Sequence, residues 1–319
     1  MNAGEMMTTA SMNTVAAPSL DNAELKRRIV QFMGGASTEI STHDEPHLAE
    51  LARELPAGTT VYVAHVPKAS LTDVVRVALK VQSLGLTASP HIVARRLESQ
   101  ESLRTALRDL SAGGVHQVLL VAGDLAKPAG NFTSTLEIID SGALEEAGIQ
   151  RAGVAGHPEG HRDVADQALW SALAHKQAYA QRSGVKVHIA TQFSFDPQAI
   201  CDWDRELSEH GISLPVHVGI AGPTPLTKLV KFAMQCGVGA SLRAVMKNMA
   251  TMSKMARLAT SPDEMLVGLL RGTSTNSATH LRHPHFFAFG GTLATAQWLR
   301  RVAEGRFELP EDPGKFQMD

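Results

Sequence analysis

Short apolar runs alternate with longer amphipathic segments along most of this 319-residue chain. Each run has a length that suits one buried strand, and the segments between them place apolar residues at helical spacing. Strands that alternate with helices predict a parallel sheet joined by right-handed crossovers. The predicted strands are 37–41, 61–66, 87–92, 117–123, 152–156, 187–193, 214–222 and 286–291. Eight such units in about 300 residues favour a closed (β/α)8 TIM barrel over an open sheet.

The predicted helices begin and end at residues that favour helix termini. The amphipathic segment 163–184 stops at Gly184, a residue common just past a helix. Asp196 and Pro197 have the N-cap and first-turn chemistry that predicts a helix over 196–211. Similar signals predict helices over 103–114 and 224–237. We therefore predict one barrel domain over 21–305, a flexible N-terminal tail over 1–20 and a C-terminal tail over 306–319.

Composition excludes several classes of function. Hydrophobic residues make up 44% of the chain, enough for a large core, and a net charge of −2 gives no reason to expect nucleic acid or an anionic membrane as a partner. Nowhere does an apolar run reach membrane-spanning length. Cys201 and Cys236 lie outside any CxxC motif, and residues 1–20 lack the pattern of a signal peptide. A cytoplasmic location is the simplest expectation.

Polar residues follow several predicted strands at their C-terminal ends, where barrels of this type place active sites. The stretches concerned are STEIS (37–41), VAGDLAKPAGNFTS (121–134), GHPEGH (156–161), ATQFSFD (190–196) and PVHVGIAGPTPLTKLVKFA (215–233). The chain contains no GxGxxG after a strand, no Walker loop, no HExxH and no GxSxG. Its chemistry is therefore not that of the common dinucleotide, nucleotide, zinc-protease or serine-hydrolase motifs.

The GHPEGH stretch admits three interpretations. Its two histidines and Glu159 could ligate a metal, face a cofactor or substrate, or form an ordinary structural turn. The ligand spacing is loose, and STEIS does not supply the HxH that barrel zinc hydrolases usually carry. Glycines on both sides of Pro158 allow the backbone to approach a ligand closely. We predict a ligand-facing turn without a metal.

Together, and in this order, these motifs resemble the methylenetetrahydrofolate reductase family over residues 35–300. The resemblance implies a barrel that transfers a hydride from NAD(P)H, through FAD, to 5,10-methylenetetrahydrofolate, with 5-methyltetrahydrofolate as the product. It also implies a small-molecule folate as the partner in one-carbon metabolism.

The resemblance also assigns roles to residues. Glu39 matches the family's general acid, and a carboxyl desolvated at a barrel mouth is expected to have a raised pKa. Asp124 matches an aspartate near both flavin and pterin, with catalytic, substrate and cofactor contacts. Gln192 matches the glutamine that reads the pterin edge. Phe193 and Phe195 are expected beside the substrate, and the expected cofactor contacts are His91, Gly123, Asp124, Phe132, Thr133, His157 and His161.

Several positions depart from the family pattern. Ala122 stands where an arginine precedes Gly-Asp, and His157 stands where the strand-5 turn has a tyrosine. Lys176, Tyr179 and Ala180 fall where an asparagine and a basic pair approach the flavin diphosphate. These changes predict that FAD binds more weakly than is usual in the family, or that NAD(P)H passes its hydride directly to the folate.

Other interpretations stay open at this point. The runner-up is a barrel that binds a folate or pterin for methyl transfer without redox chemistry, and a metal hydrolase ranks third. His283 and His285 are interpreted as structural or loop residues before the last strand. The sequence leaves open NADH against NADPH, the direction of the reaction and whether the protein forms a homo-oligomer.

Overall fold

Eight parallel strands close into a barrel in a computed structural model that describes residues 20–225, 259–260, 262–309 and 316–318. Each strand pairs with its neighbours in sequence, and the first strand pairs with the last. The strands are β1 Ser37–Ser41, β2 Thr60–Ala64, β3 Thr87–Val93, β4 Gln117–Val121, β5 Arg151–Gly156, β6 Lys186–Thr191, β7 Val216–Ala221 and β8 Leu281–Phe287. The predicted (β/α)8 fold is confirmed.

Helices surround the barrel and connect its strands. The described helices are α1 Asn22–Met33, α2 Leu48–Glu54, α3 Leu71–Ser83, α4 Gln100–Ala112, α5 Thr135–Asp140, α6 Ala143–Glu146, α7 Asp166–Ser183, α8 Pro197–Glu209, α9 Asp263–Gly272 and α10 Thr292–Ala303. Their ends follow the sequence signals. Asp196 accepts hydrogen bonds from the first backbone amides of α8, and Gly184 ends α7 in the left-handed conformation, with φ 75°. Local chemistry thus sets where the chain enters and leaves these helices.

Successive side chains of each strand point alternately out of and into the barrel, so the protein has one core around the barrel and a second one inside it. Val61 and Val63 of β2 point outward into the main core, which packs the helices against the barrel. Tyr62 lies between them in sequence and points inward, where it joins Leu119 and Ala190 in a small cluster inside the barrel. Polar side chains share this interior, and those that are buried include Ser37, Ser89, Gln117, His188 and His285. The barrel interior is therefore unusually polar, whereas the main core is apolar.

The eighth strand differs from its prediction. It was expected over 286–291, but β8 covers Leu281–Phe287 and includes the histidine-rich segment that was interpreted as a loop. Pro284 and a register irregularity between Leu281 and His283 interrupt the regular alternation of a strand. The strand was therefore not recognised from the sequence. His283 and His285 are strand residues, and His285 points into the barrel.

The C-terminal segment, predicted as a tail, packs on the barrel in its described part. Phe307 and Phe316 are buried members of the main core, and their short strands pair with each other. Phe316 also stacks parallel to Trp298 of α10. Two buried aromatic rings hold this segment on the barrel, although its acidic and proline-rich composition suggests a tail.

Two predictions fall largely outside the described residues. They are the N-terminal tail over 1–20 and the helix over 224–237. Among the helices that the structure describes, none is long and apolar enough to cross a membrane.

Candidate functional site

Glu39 lies inside the barrel with two histidines, and we call these three residues the Glu39 cluster. Its Oε2 atom is 3.2 Å from Nε2 of His91 on β3 and 3.9 Å from Nε2 of His285 on β8. All three side chains are at least three-quarters buried; Glu39 exposes 21% of its side chain and His285 1%. A predicted acid and a predicted cofactor contact are thus brought together, and a third residue joins them.

The pKa of Glu39 is shifted in the direction opposite to the one expected from the sequence. Burial alone would raise it, but the nearby imidazoles of His91 and His285, with the charge of His91 as the largest effect, outweigh burial and lower the pKa to about 2. Glu39 is therefore a carboxylate at neutral pH. Proton chemistry at this place belongs to the carboxylate and its two imidazoles as a unit.

His285 is the member of the Glu39 cluster that sequence reasoning missed. Ser37 of β1 lies 2.9 Å from its Nδ1 atom, which leaves Nε2 facing Glu39. The ring of Tyr62 packs 4.4 Å from the ring of His285. A contact on each side therefore fixes this imidazole. The available signal was the spacing of His283 and His285, which puts both on one face once the segment is read as a strand.

Further histidines continue through the barrel interior. The hydroxyl of Tyr62 lies 2.7 Å from Nε2 of His188, whose ring stacks 4.2 Å from that of His217. Burial, together with the charges of His285 and Arg151, lowers the pKa of His188 to about 4. Burial and three neighbouring histidines, His188 first, lower the pKa of His217 to about 2. Both rings are therefore neutral in the folded protein near pH 7.

These neutral histidines predict a protein that loses stability in mild acid. The unfolded chain binds protons as the pH falls below about 6.5, whereas buried His188 binds one only near its folded pKa of about 4. Stability is thus retained above pH 6.5 and lost below it, by about 2 kcal/mol per such histidine between pH 7 and pH 5. Denaturant melts at the two pH values measure the difference.

His188→Gln keeps a group that can bind the Tyr62 hydroxyl but removes the titration. The variant is expected to lose about 2 kcal/mol of the difference in unfolding free energy between pH 7 and pH 5. His47→Gln, at an exposed position, is the matched control and should keep the full difference. An unchanged pH dependence in His188→Gln would show that this ring does not control acid stability.

Gln192 connects β6 to the GHPEGH turn. Its backbone amide donates to the carbonyl of Gly156, and its side-chain Nε2 atom lies 3.3 Å from the carbonyl of Gly160. The side chain is half-buried at the C-terminal end of the barrel. The amide oxygen stays available as an acceptor, and Nε2 has a second hydrogen to donate. The structure thus brings Gln192 to the turn that was predicted to face a ligand.

Four phenylalanines form an aromatic wall beside Gln192. Phe193 is buried, and its ring lies 4.9 to 5.7 Å from the rings of Phe195, Phe287 and Phe289. Phe289 has a positive φ of 46°, which is rare for a bulky residue and is often found near functional sites. Phe193 and Phe195 were predicted here, whereas Phe287 and Phe289 were not assigned.

Asp124 stands apart from the Glu39 cluster. It follows β4 by three residues, exposes 75% of its side chain and forms an ion pair with Arg96 at 3.3 Å. Gly123 before it has φ 91°, and a β-carbon at this position would lie 2.4 Å from a methyl group of Val93. The glycine is needed for this turn and for its packing on β3. Asp124 is left at the barrel mouth, accessible to a ligand.

Residues expected to hold a flavin serve the chain's own packing. Phe132 is 3% exposed in the main core, which corrects its prediction as a cofactor contact. The backbone amide and hydroxyl of Thr133 both bind Glu137, so they cap α5. Tyr179 is 1% exposed, and Ala180 packs against the main core. With Ala122 in place of arginine, these residues do not fit a site for a flavin diphosphate.

His157 and His161 sit together in the turn. Their rings lie 5.1 Å apart and nearly perpendicular, and Nδ1 of His161 accepts a hydrogen bond from the amide of Asp163. Burial, His161 and Lys176 lower the pKa of His157 to about 4. Among the residues that the structure describes, no group of three His, Cys, Asp or Glu side chains is placed to hold a metal ion. The predictions that this turn faces a ligand and binds no metal stay predictions.

Comparison with known families gives one match. The sequence profile of the family described as methylenetetrahydrofolate reductase matches residues 48–259, which extend from α2 past β7. That range contains His91, Asp124, the GHPEGH turn and Gln192, whereas Glu39 and His285 lie outside it.

Solved structures are similar to this chain at low sequence identity. An uncharacterized protein from Clostridium thermocellum that binds two copies of 5-methyl-5,6,7,8-tetrahydrofolic acid is 12% identical, with a TM-score of 0.55 over 87% of this chain and 99% of that one. Dihydropteroate synthase from Thermus thermophilus is 16% identical, with a TM-score of 0.41 over 83% and 91% of the two chains. A tryptophan synthase alpha-subunit from Pyrococcus furiosus is 12% identical, with a TM-score of 0.49 over 85% and 97%.

Proposed function

Because this chain belongs to the methylenetetrahydrofolate reductase family, we propose that it interconverts 5,10-methylenetetrahydrofolate and 5-methyltetrahydrofolate, with NAD(P)H as the hydride donor. The family is one of folate-related oxidoreductases. The observation that carries the proposal is the Glu39 cluster, a carboxylate between two imidazoles inside the barrel. The Clostridium thermocellum protein, which binds 5-methyltetrahydrofolate, supports a folate as the ligand of this fold.

The reaction needs a proton and a hydride at different atoms. A proton delivered to N10 of the folate opens the five-membered ring and leaves an iminium at N5. The hydride from NAD(P)H then adds to the methylene carbon, which becomes the methyl group. In the Glu39 cluster, the carboxylate faces the imidazole of His91, which is 13% exposed and can pass a proton to the folate. His285 is 1% exposed and lies against Ser37 and the carboxylate, so its part is to position Glu39. Glu39 thus acts through His91, and not as a neutral acid of raised pKa.

The pterin would be recognised at the barrel mouth. Gln192 offers an acceptor and a donor to the polar pterin edge, and Asp124 offers a carboxylate to its N–H groups. Phe195, which packs edge-on against the buried ring of Phe193, belongs to an aromatic wall against which a flat ring can pack. These contacts orient the folate with its methylene carbon toward the donor.

We propose that the hydride passes directly from NAD(P)H to the folate. The side chains that would grip a flavin diphosphate are buried elsewhere or replaced, as Phe132, Tyr179 and Ala122 illustrate. The mouth then needs room only for the nicotinamide and the folate.

A nicotinamide assay tests the proposal. Protein freed of flavin by extensive dialysis is expected to oxidise NAD(P)H only when methylenetetrahydrofolate is present, at a rate that added FAD does not raise. A rate restored only by FAD would contradict direct transfer but keep the reductase. Tight folate binding without any nicotinamide oxidation would favour the alternative, a folate-binding barrel that serves methyl transfer.

A further inference from the structure

The loop that carries Asp124 is held by polar contacts more than by the core. This loop, residues 122–134, connects β4 to α5, and we call it the Asp124 loop. None of its side chains from 123 to 131 is buried, whereas Phe132, near its far end, is. Exposed loops with few buried contacts are usually mobile. A fixed position for Asp124 therefore depends on polar groups that the neighbouring segments donate to this loop.

Arg95, which follows β3, donates hydrogen bonds to three carbonyl groups of the Asp124 loop. Its Nε atom bonds the carbonyl of Leu125 at 2.6 Å, its Nη2 atom that of Ala126 at 2.8 Å, and its Nη1 atom that of Thr133 at 3.3 Å. The guanidinium thus joins the beginning of the loop to its end. An arginine suits this task because its donors point in several fixed directions, whereas the ammonium of lysine is a single point charge.

The backbone around Arg95 makes further contacts with the same loop. The amide of Arg95 donates to the carbonyl of Ala122, and the amide of Ala129 donates to the carbonyl of Arg95, both at 2.9 Å. Gly130 lies directly on the backbone of Glu98, where a β-carbon would overlap the Glu98 carbonyl. The Asp124 loop is therefore packed along the segment that follows β3, and the Arg95 side chain closes this contact from the other side.

Arg96, the next residue, contacts Asp124 itself. Its side chain is 14% exposed, and its Nη1 atom donates to the carbonyl of His65 at 2.7 Å. Its Nη2 atom lies 3.3 Å from Oδ1 of Asp124. The other carboxylate oxygen, Oδ2, stays available to accept from a ligand. The contact with His65 fixes the Arg96 guanidinium, which in turn directs the Asp124 carboxylate.

We propose that Arg95 is a positioning residue for folate recognition. It fixes the Asp124 loop so that the Asp124 carboxylate, directed by Arg96, already lies where the pterin N–H groups arrive. Arg95 acts through Asp124 and does not touch the folate, because its donors are directed at the loop carbonyls. The inference rests on the proposed function, in which Asp124 accepts hydrogen bonds from the pterin. A carboxylate that is held in advance binds without the cost of ordering its loop.

A double-mutant cycle between Arg95→Ala and Asp124→Asn tests this proposal. Arg95→Ala is expected to weaken the binding of 5-methyltetrahydrofolate on the order of tenfold in the wild-type chain, but less than about twofold in the Asp124→Asn chain. Isothermal titration of the four full-length proteins measures both factors. Equal factors in the two backgrounds would overturn the proposal, because Arg95 would then affect the folate independently of Asp124.

Chemical rescue distinguishes a lost guanidinium from a loosened fold. Millimolar guanidinium, far below denaturing concentrations, should restore most of the folate affinity of Arg95→Ala, whereas Arg95→Lys should not regain it. Arg108→Ala is the matched control, because Arg108 is exposed on α4 and pairs with Glu101. This control should bind folate as the wild type does, with or without guanidinium. An affinity of Arg95→Ala that merely follows a fall in melting temperature would overturn the proposal.

Hydrogen exchange monitors the loop without any folate. The amides of residues 122–131 should exchange on the order of tenfold faster in Arg95→Ala than in the wild type or in Arg108→Ala. Gly130→Ala loosens the same loop at its backbone contact, and it should give the same two effects even if Arg95→Ala does not fold. Faster exchange with unchanged folate affinity would overturn the positioning role and leave the proposed reaction intact. A wild-type chain that binds no folate would overturn the proposed function, and this inference with it.

Discussion

Replacing Glu39 by glutamine is expected to slow the reduction of methylenetetrahydrofolate by roughly 10²-fold or more, the scale of a lost acid–base group. The amide has a similar shape but no charge, so it no longer stabilises a proton on His91 or His285. Folate binding should stay within about tenfold, because the carboxylate is not expected to read the pterin edge. Steady-state rates and a folate titration measure the two effects separately.

Glu50→Gln provides the matched control, because Glu50 is an exposed residue in the first turn of α2. It should retain the wild-type rate. Near-normal turnover of Glu39→Gln would rule out the role given to the Glu39 cluster. A fall in rate that merely follows a loss of folded protein, seen by circular dichroism, would count against it as well.

Replacing Gln192 by alanine is expected to weaken folate binding about 5- to 150-fold, which corresponds to about 1–3 kcal/mol for a lost hydrogen-bonding group in a half-buried site. Part of the effect comes through the turn, because the amide also donates to the carbonyl of Gly160. Isothermal titration with 5-methyltetrahydrofolate measures the dissociation constant directly.

Gln198→Ala is the control that distinguishes a loss of contacts in the folate pocket from a general effect of replacing a glutamine by alanine. Gln198 is exposed in the first turn of α8, where its side chain binds Asp202. This variant should bind folate as the wild type does. An unchanged dissociation constant in Gln192→Ala would place this amide outside the pocket and remove the main recognition element of the proposed site.

The fold was predictable because its signals are local. Apolar runs of strand length, the N-cap Asp196 and the terminal Gly184 each act over a few residues, and the structure confirms seven of the eight strands to within a few residues. β8 was misplaced because polar histidines and Pro284 break the apolar pattern. Only the closed barrel gives those side chains polar neighbours, and that is a long-range effect.

The sequence predicted which residues come together better than it predicted their charges. Glu39 and His91 are 52 positions apart in the sequence, and the resemblance to a family assigned both. Their 3.2 Å contact, and the presence of His285 beside them, depend on barrel closure. The sign of the pKa shift follows from that contact, so the expectation of a raised pKa, based on burial alone, was wrong.

Other assignments failed because the sequence does not show whether a loop side chain points toward a ligand or into the core. Phe132 follows Gly-Asp closely enough in sequence to suggest a ligand contact, yet it is buried in the main core. The same holds for Phe307 and Phe316, which the composition of the C-terminal segment did not reveal. In each case a few residues of loop decide whether a ring faces a ligand or the core, and spacing alone does not determine that.

Deuterium transfer from labelled NAD(P)H tests the central claim most directly. The flavin-free protein is supplied with methylenetetrahydrofolate and nicotinamide that carries deuterium at the transferred position of C4. The account predicts 5-methyltetrahydrofolate with one deuterium in its methyl group, without washout to solvent, and a loss of this product in Glu39→Gln. Failure to form 5-methyltetrahydrofolate from either nicotinamide would contradict the proposed reaction.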